Sequence, residues 1–196
     1  MPNAITMLKA DHVTLKRLTR ELEETGDRAV KERERIVAKL ERELKTHAQI
    51  EEEVFYPAFK AATEKMEEQS LFYEAAEEHH VVDMVLPALK AANKKSPEFE
   101  AKATVLKELL EHHIKDEETE MFKVARQVFS DEQLRELGDL MQARRASIEA
   151  MWDHPLLRPV KKLQSAAQKF LPTKVKTAKA AAIAKVMDLG RDEARR

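Results

Sequence analysis

Apolar residues recur every three or four positions along most of this chain, which is the periodicity of amphipathic helices. The first such stretch predicts a helix over about 3–25, ended by Gly26. A second predicted helix begins near Arg28, and Pro57 is expected either to kink it or to end its first part. A third helix is predicted over about 69–92. With only three glycines in the chain, these segments indicate an all-α protein.

The fourth and fifth predicted helices have clear start signals. Ser96 is placed to cap the fourth helix, 97–128, which has a proline at its first position. Ser130 opens a capping box that begins a fifth helix over 131–152, where Trp152 is expected to pack this helix against the others. The pattern therefore predicts four core helices and one additional C-terminal helix.

One short pattern occurs twice, at 47–56 and at 113–122. In both copies a histidine is followed four residues later by a glutamate, then by a second glutamate, and later by an apolar residue and an aromatic one. Because four residues make about one helical turn, each imidazole and its carboxylate leave the same face of the helix. Each copy is therefore half of a metal chelate.

Each half-site has a partner histidine upstream, and each partner follows an acidic residue: Asp11 precedes His12, and Glu78 precedes His79. The chain is thus a two-fold internal repeat of about 66 residues, with a histidine on the first helix of each repeat and a histidine–glutamate pair on the second. Four helices then converge on one site. The candidate metal ligands are His12, His47, Glu51, His79, His113 and Glu117.

A single histidine on an apolar helix face is more often a hydrogen-bonded core residue than a metal ligand. One histidine–glutamate spacing is also weak, because the chain has 36 acidic residues among 196 and some fall at that spacing by chance. Here four histidines, two glutamates and a shared flanking pattern predict the same buried cluster, which would be costly without an ion. Their concurrence favours a metal site.

Some residues next to the candidate ligands are possible further ligands. His80 and His112 adjoin the preferred histidines of the third and fourth helices, but successive residues are about 100° apart on a helix, so only one of each pair points inward. We expect His112 to be solvated or to contact a ligand, and His80 remains a possible extra ligand. Asp83 and Glu118 are further possible ligands or partners of ligands. His154 is expected to be structural.

Composition narrows the choice of metal. Without cysteine the chain has neither disulfides nor thiolate ligands, and imidazoles mixed with carboxylates suit iron, manganese or zinc. Two glutamates on diagonally related helices can bridge two ions and leave room for an oxide or hydroxide and an exogenous ligand. A di-iron centre of this kind indicates O2, peroxide or NO chemistry. Ferritin-like di-iron proteins need a Glu-x-x-His sequence on two helices, and Glu77-x-x-His80 is the only such sequence in this chain. The His-Glu-x-x-His motif of zincins is absent.

The balance of basic and acidic residues changes near Pro155. The net charge is −1, but 155–196 holds eleven lysine or arginine residues against three acidic ones. We expect a bundle domain over 1–154, with its core over 3–128, and a partly ordered basic Ala/Lys-rich tail. Because Phe170 is the tail's only aromatic residue, binding of nucleic acid, anionic membrane or an acidic partner is weakly supported. Neither a leader nor a membrane-length apolar run is visible, so a cytoplasmic location is expected.

The acid–histidine starts of the first and third helices and both His-x3-Glu-Glu blocks resemble the hemerythrin HHE cation-binding domain over about 3–128. The resemblance implies an antiparallel up-down four-helix bundle around two iron ions, with carboxylate and oxo or hydroxo bridges. Asp83 stands where oxygen-carrying members have a histidine, and Glu117 and Glu118 stand where they have one aspartate. Added carboxylates favour ferric iron, which argues against reversible O2 carriage.

The leading hypothesis is a non-haem di-iron protein that binds or senses O2, peroxide, NO or iron itself. The alternative is an enzyme, either a ferroxidase or a peroxide-consuming oxidase, that uses the same centre. A third hypothesis makes the bundle a metal-stabilised scaffold that acts through its basic tail.

Overall fold

The computed structural model describes residues 2–63 and 66–153, and the regular elements in these two ranges are all helices. For this part of the chain the prediction of an all-α protein is confirmed. The predicted basic tail, 155–196, and His154 lie outside the described residues. Within the described ranges, no helix is both long and apolar enough to cross a bilayer.

The helices follow the internal repeat. The first half holds α1 and a long helix that runs from α2 through π1 into α3, and the second half holds α4 and a long helix that runs from α5 through π2 into α6. In chain order the elements are α1 (Ala4–Glu23), α2 (Val30–Ile50), π1 (Glu51–Phe55), α3 (Tyr56–Ala62), α4 (Met66–Ala91), α5 (Pro97–Asp116), π2 (Glu117–Met121), α6 (Phe122–Val128) and α7 (Asp131–Asp153).

Local sequence signals place the helix starts. The Asn3 side chain accepts a hydrogen bond from the Thr6 amide at 2.9 Å, and Ser96 caps α5 with its own side chain. Ser130 and Gln133 exchange the two hydrogen bonds of a capping box, at 2.8 and 3.2 Å, in front of α7. The predicted starts of α1, α5 and α7 are therefore confirmed, whereas α1 ends and α4 begins slightly earlier than predicted.

Pro57 does not end the second helix, because it lies in the first turn of α3 directly after the π-helical turn π1. A proline is tolerated there, since its missing amide costs least in the first turn of a helical segment. The second repeat has its π turn at the equivalent place, where no proline follows. The feature that both turns share is the glutamate that begins them, Glu51 or Glu117, and π turns are frequent at functional sites.

Two apolar clusters form the core, and the candidate ligands separate them. The first cluster is rich in aromatic residues such as Phe55 and Phe59, and the second is mainly aliphatic, with residues such as Leu18 and Leu106. α1, α2, α4 and the long helix α5–π2–α6 each pass from one cluster to the other near the candidate ligands. A polar layer therefore crosses an otherwise apolar, close-packed interior.

The last helix, α7, packs on α1 and α2 of the first half. Leu137 and Ile148 are among its buried residues, whereas Trp152 is exposed and therefore contributes less to this contact than predicted. Gly138 lies where the N-terminal segment approaches closely, since a Cβ at this position would be 2.5 Å from the Pro2 carbonyl oxygen.

Candidate metal centre

The six residues predicted as metal ligands lie together in one buried cluster. None is more than 8% exposed, and they come from four long helices, two in each repeat: α1 and α2–π1–α3 in the first, and α4 and α5–π2–α6 in the second. The histidines come from the middle of long helices, and each glutamate begins a π turn. The residues are His12 of α1, His47 of α2, Glu51 of π1, His79 of α4, His113 of α5 and Glu117 of π2.

Each glutamate lies between two histidines that come from different helices. The distances from glutamate Oε2 to histidine Nε2 are 3.3 Å for both Glu51–His47 and Glu51–His79, 3.2 Å for Glu117–His12 and 3.7 Å for Glu117–His113. The donor atoms form two groups in which all atoms lie within 4.8 Å of one another, and Glu51 belongs to both. The groups are His12, His47, Glu51 and Glu117, and Glu51, His79 and His113.

Several inward-facing polar atoms lack the partners that buried groups require. His79 Nε2 and His113 Nε2 face each other at 3.3 Å, an arrangement that brings two lone pairs together unless a proton or a cation lies between them. Buried polar atoms are normally satisfied, so a cation among them fits the donor set. The atoms without a hydrogen-bond partner include His12 Nε2, His47 Nε2, Glu51 Oε1 and Glu117 Oε2.

The opposite ring nitrogen of each histidine is held by a carboxylate. Because an ionised carboxylate only accepts hydrogen bonds, each Nδ1 carries a ring proton, and each Nε2 faces the centre, where it offers a lone pair whenever the ring is neutral. Metal-binding histidines are commonly oriented in this way. The distances from Nδ1 to the carboxylate oxygen are 2.9 Å for His12–Glu118, 3.3 Å for His47–Asp11, 3.0 Å for His79–Glu52 and 2.8 Å for His113–Glu78.

The sequence pattern does not show which histidine each of these four carboxylates orients, although all four residues belong to the repeated motifs. Two are the acidic residues directly before His12 and His79, and two are the second glutamates of the repeated pattern. Each one contacts a histidine of another helix rather than of its own. Glu118, which the sequence left open as a ligand, is one of these partners.

Aromatic rings cover the centre on the side of the first apolar cluster. Phe122 stacks on His12 with ring centroids 5.8 Å apart, and Tyr56 takes the equivalent place beside His79 at 5.6 Å. Tyr56 also carries a hydroxyl, which donates to Glu117 at 2.9 Å and lies 3.4 Å from the other glutamate of the centre. The two halves of the centre therefore differ by one buried O–H group.

Burial and charge separate the pKa values of the two glutamates. Burial raises the pKa of Glu51 well above its usual value, and the nearby carboxylate of Glu117 raises it further. Burial also acts on Glu117, but His113 and His12 outweigh it and hold the pKa of Glu117 well below its usual value. In the metal-free chain Glu51 therefore keeps its proton to higher pH than Glu117 does.

The pKa values of the histidines are shifted in opposite directions. Burial lowers the pKa of His47 to about 4, even though its hydrogen bond to Asp11 opposes the shift. Burial acts in the same sense on His12 and His113, but the Glu117 carboxylate outweighs it, so both pKa values lie above the usual one. Protons therefore compete with a cation for these two imidazoles up to higher pH than is usual for histidine.

The neighbouring residues lie outside the buried centre. His80 and Asp83 are exposed on α4, and neither belongs to the two buried groups. His112 is exposed on α5, where its Nε2 is 3.5 Å from Glu78 and 3.6 Å from Asp116. The inward positions are thus occupied by the adjacent histidine of each pair.

A mainly apolar pocket adjoins the centre between α2, α4 and α5. Its walls include Leu44, Val82, Leu86 and Leu110, and three histidines of the centre lie at its inner side. A small uncharged molecule in this pocket would therefore be beside the ligand nitrogens, with little water around it.

Comparison with known proteins agrees with this geometry. The model of the hemerythrin HHE cation binding domain matches residues 3–125. An uncharacterised protein of Mycobacterium tuberculosis, Rv2633c, is 34% identical over 157 residues, which cover 79% of this chain and 90% of that protein. A DNA nickase of Nostoc sp. is 25% identical over 147 residues, which cover 75% of this chain but 40% of the nickase.

A solved structure is similar over most of the chain. It is the crystal structure of a hemerythrin HHE cation binding domain-containing protein from Mycobacterium kansasii, a homolog of Rv2633c, with a TM-score of 0.68 and 31% sequence identity. The similarity covers 87% of this chain and 100% of that one. The family model also spans the helices that carry all six candidate ligands. The chain therefore belongs to the hemerythrin HHE cation-binding domain family, whose domains bind metal ions.

Proposed function

We propose that this protein is a non-haem di-iron protein that binds or senses O2, peroxide, NO or iron itself. The observation that carries the proposal is the buried cluster of four imidazoles and two carboxylates, in which several inward-facing atoms have no partner. Nitrogen and carboxylate oxygen donors without thiolates suit iron, with manganese or zinc as alternatives.

Two ions, rather than one, fit the arrangement of donors. The ligand atoms divide into two groups, and the carboxylate of Glu51 is common to both. Glu117 lies between His12 and His113, which come from different repeats. We therefore infer that Glu51 and Glu117 would be shared by the two ions and that two histidines would hold each ion, with oxide or hydroxide as a further ligand. Two iron ions held in this way would supply redox chemistry and open positions for a small ligand.

The chain's own residues control access and proton supply. The four carboxylates at the histidine Nδ1 atoms fix the ring orientations, and the two apolar clusters keep bulk water away. The apolar pocket beside Leu110 gives a small diatomic molecule or peroxide a route to the centre. Tyr56 holds a proton at Glu117, on the side of the centre that faces the first apolar cluster.

The proposal includes a four-helix arrangement within one domain over 1–154. In it, α1, the helix α2–π1–α3, α4 and the helix α5–π2–α6 form an antiparallel up-down bundle, with α7 added on one side. Contacts of α1 with α2 and α5, and of α4 with α5 and α2, support this arrangement. It also accounts for the meeting of four histidines from four helices in one layer.

An oxidase is the second candidate function, and Tyr56 is the observation that favours it. A buried hydroxyl beside the carboxylates can give a proton to a reacting ligand, which simple binding does not require. Ferroxidase or peroxide-consuming activity would use the same ions. The scaffold hypothesis depends on the tail, which lies outside the described residues, and it stays a prediction from the sequence.

Metal content per chain, with an ultraviolet–visible spectrum before and after anaerobic reduction, tests the proposal. We expect two irons per chain and charge-transfer bands that bleach on reduction and return in air. Glu51→Ala and Glu117→Ala should each lower the metal content to half or less. A single zinc per chain, or full iron content in the double variant, would contradict the bridged di-iron centre. Slow decay of the re-oxidised form supports binding, and catalytic turnover of Fe2+ or peroxide supports the enzyme.

A further inference from the structure

The two repeats differ in what lies on the outer side of the centre. On the first repeat, α7 packs over α1 and α2, and the side chains of Met7 and Ile50 are buried in the first apolar cluster. Asp11, which orients His47, is also paired with Arg145 of α7. Apolar packing and a neutralised carboxylate therefore close this side of the centre to cations.

The equivalent side of the second repeat is an acidic cleft between α4 and the helix α5–π2. Glu74 and Asp116 occupy the positions that Met7 and Ile50 occupy in the first repeat. The cleft is lined by acidic side chains at its outer end and reaches His113 and Glu117 at its inner end. A negative cleft that ends at metal ligands attracts cations and guides them inward.

Three metal-ligating side chains meet at the mouth of this cleft. The donor atoms of Glu78, His112 and Asp116 all lie within 4.8 Å of one another. The His112 side chain is 63% exposed, so an ion in solution can reach it. One imidazole and two carboxylates suit a divalent first-row transition metal, and three protein ligands leave such an ion partly hydrated and weakly held.

Glu78 connects this group to the buried centre. One of its oxygens faces His112 at 3.5 Å, and the other accepts a hydrogen bond from Nδ1 of His113 at 2.8 Å. At the inner end of the cleft, Glu117 is only 2% exposed and its Oε2 has no hydrogen-bond partner. Its neighbours are the ligand nitrogens His12 Nε2 at 3.2 Å and His113 Nε2 at 3.7 Å, and a buried carboxylate oxygen without a hydrogen bond attracts a cation.

We propose that Glu78, His112 and Asp116 form a peripheral site for a divalent transition-metal ion, from which the ion moves through the cleft into the buried centre. The proposal rests on the proposed metal-binding function of that centre. It assigns Asp116 and His112 to metal capture, whereas Glu78 both captures the ion and orients a ligand of the centre.

His112→Ala and Asp116→Asn test the peripheral site without removing the carboxylate that orients His113. His80→Ala is the matched control, because His80 is also an exposed histidine next to a candidate ligand. It belongs neither to the two ligand groups of the buried centre nor to the peripheral group. The first measurement is Zn2+ binding by equilibrium dialysis to protein whose tight sites are already filled. We expect one additional weakly bound ion per chain in the parent and in the control, and about 10-fold weaker binding in the two variants.

The second measurement is the rate of anaerobic Fe2+ uptake by the metal-free protein. We expect the rate to saturate with Fe2+ concentration in the parent and the control. In His112→Ala and Asp116→Asn, uptake should be about five-fold slower or more and should reach the same final iron content. This equal endpoint distinguishes a lost capture site from a damaged centre.

The outcomes separate this proposal from the proposed function. Unchanged Zn2+ binding and uptake rate in both variants, with the tight ions retained, would overturn the peripheral site and leave the buried centre standing. Absence of tightly bound ions from the parent itself would overturn both the buried centre and the inward transfer, whatever the dialysis shows.

Discussion

At the scale of single residues, the centre depends on atoms that face away from it. Each histidine turns Nε2 inward because a carboxylate holds its Nδ1–H, as Glu118 does for His12 at 2.9 Å. These carboxylates touch no inward-facing atom of the histidine they orient, yet they fix its tautomer and the direction of the lone pair. Their removal should therefore weaken metal binding while every ligand remains in place.

Glu118→Ala tests this role. Without its partner, the His12 ring can rotate or change tautomer, so we expect metal affinity to fall about 10- to 100-fold. Competition with a chelator measures the affinity. Glu120→Ala is the control, since Glu120 is an exposed glutamate of the same π turn and should leave affinity unchanged. Equal affinities in the two variants would contradict the orienting role.

Tyr56→Phe separates the hydroxyl of Tyr56 from its ring. The equivalent position in the second repeat is already Phe122, which stacks on a histidine in the same manner, so the ring alone can pack there. We expect unchanged iron content by elemental analysis. Under the oxidase alternative, we expect peroxide consumption to be about 100-fold slower, because the O–H group at Glu117 is lost.

Turnover by the parent protein, measured beside the variant, decides between the two candidate functions. A Tyr56→Phe variant with full iron content and an unchanged rate of peroxide consumption would show that the hydroxyl supplies no proton to the reaction. If neither protein turns over peroxide or Fe2+, binding or sensing remains the function.

At the scale of helices, the sequence predicts what lies along one helix better than what lies between helices. The six candidate ligands follow from helical spacing and from the repeat, because a histidine and a glutamate four residues apart share a face. The carboxylate partners do not follow, since each joins two helices and depends on how the helices cross. Asp11, for example, is next to His12 in the chain but contacts His47.

The π turns and the position of α7 were also beyond the sequence pattern. The buried positions keep a spacing of three or four residues through π1, as at Glu51, Val54 and Phe55, so the pattern does not mark this turn. The capping box marks the start of α7 but not the surface that it covers. α7 also packs closely on the N-terminal segment at Gly138, where the sequence pattern shows only a residue of low helix propensity.

Gly138→Ala tests this close contact of α7. The added Cβ would lie 2.5 Å from the Pro2 carbonyl oxygen, so the backbone of the N-terminal segment must move. We expect a loss of about 1–3 kcal/mol in the free energy of unfolding, measured by denaturant titration. Gly26→Ala is the control, because nothing lies within 4 Å of the added Cβ, and its stability should be equal or slightly higher. Equal stability of the two variants would exclude tight packing at Gly138.

At the scale of the whole molecule, the metal-free and metal-loaded chains differ in how many protons they hold. The Glu117 carboxylate raises the pKa of His12 and His113 against the effect of burial. Protonation of these imidazoles therefore stabilises the metal-free fold below their ordinary pKa, and this stabilisation is lost as the pH rises through the raised values. His47, with its pKa lowered to about 4, is neutral near pH 7 and adds no proton there.

Metal affinity should consequently rise with pH. Ligand imidazoles must be neutral and ligand carboxyl groups ionised to bind, and the raised pKa values of His12, His113 and Glu51 keep protons on these groups to higher pH than usual, so loading releases protons. We expect the apparent affinity to increase about 10-fold or more per pH unit between about pH 6 and 8, as the release of one proton or more requires. Chelator competition at several pH values, corrected for the chelator's own protonation, measures this slope. Calorimetry in two buffers of different ionisation enthalpy counts the protons independently. A slope of zero, with no proton released, would mean that the ions bind outside this cluster, because these imidazoles cannot become ligands without losing their protons.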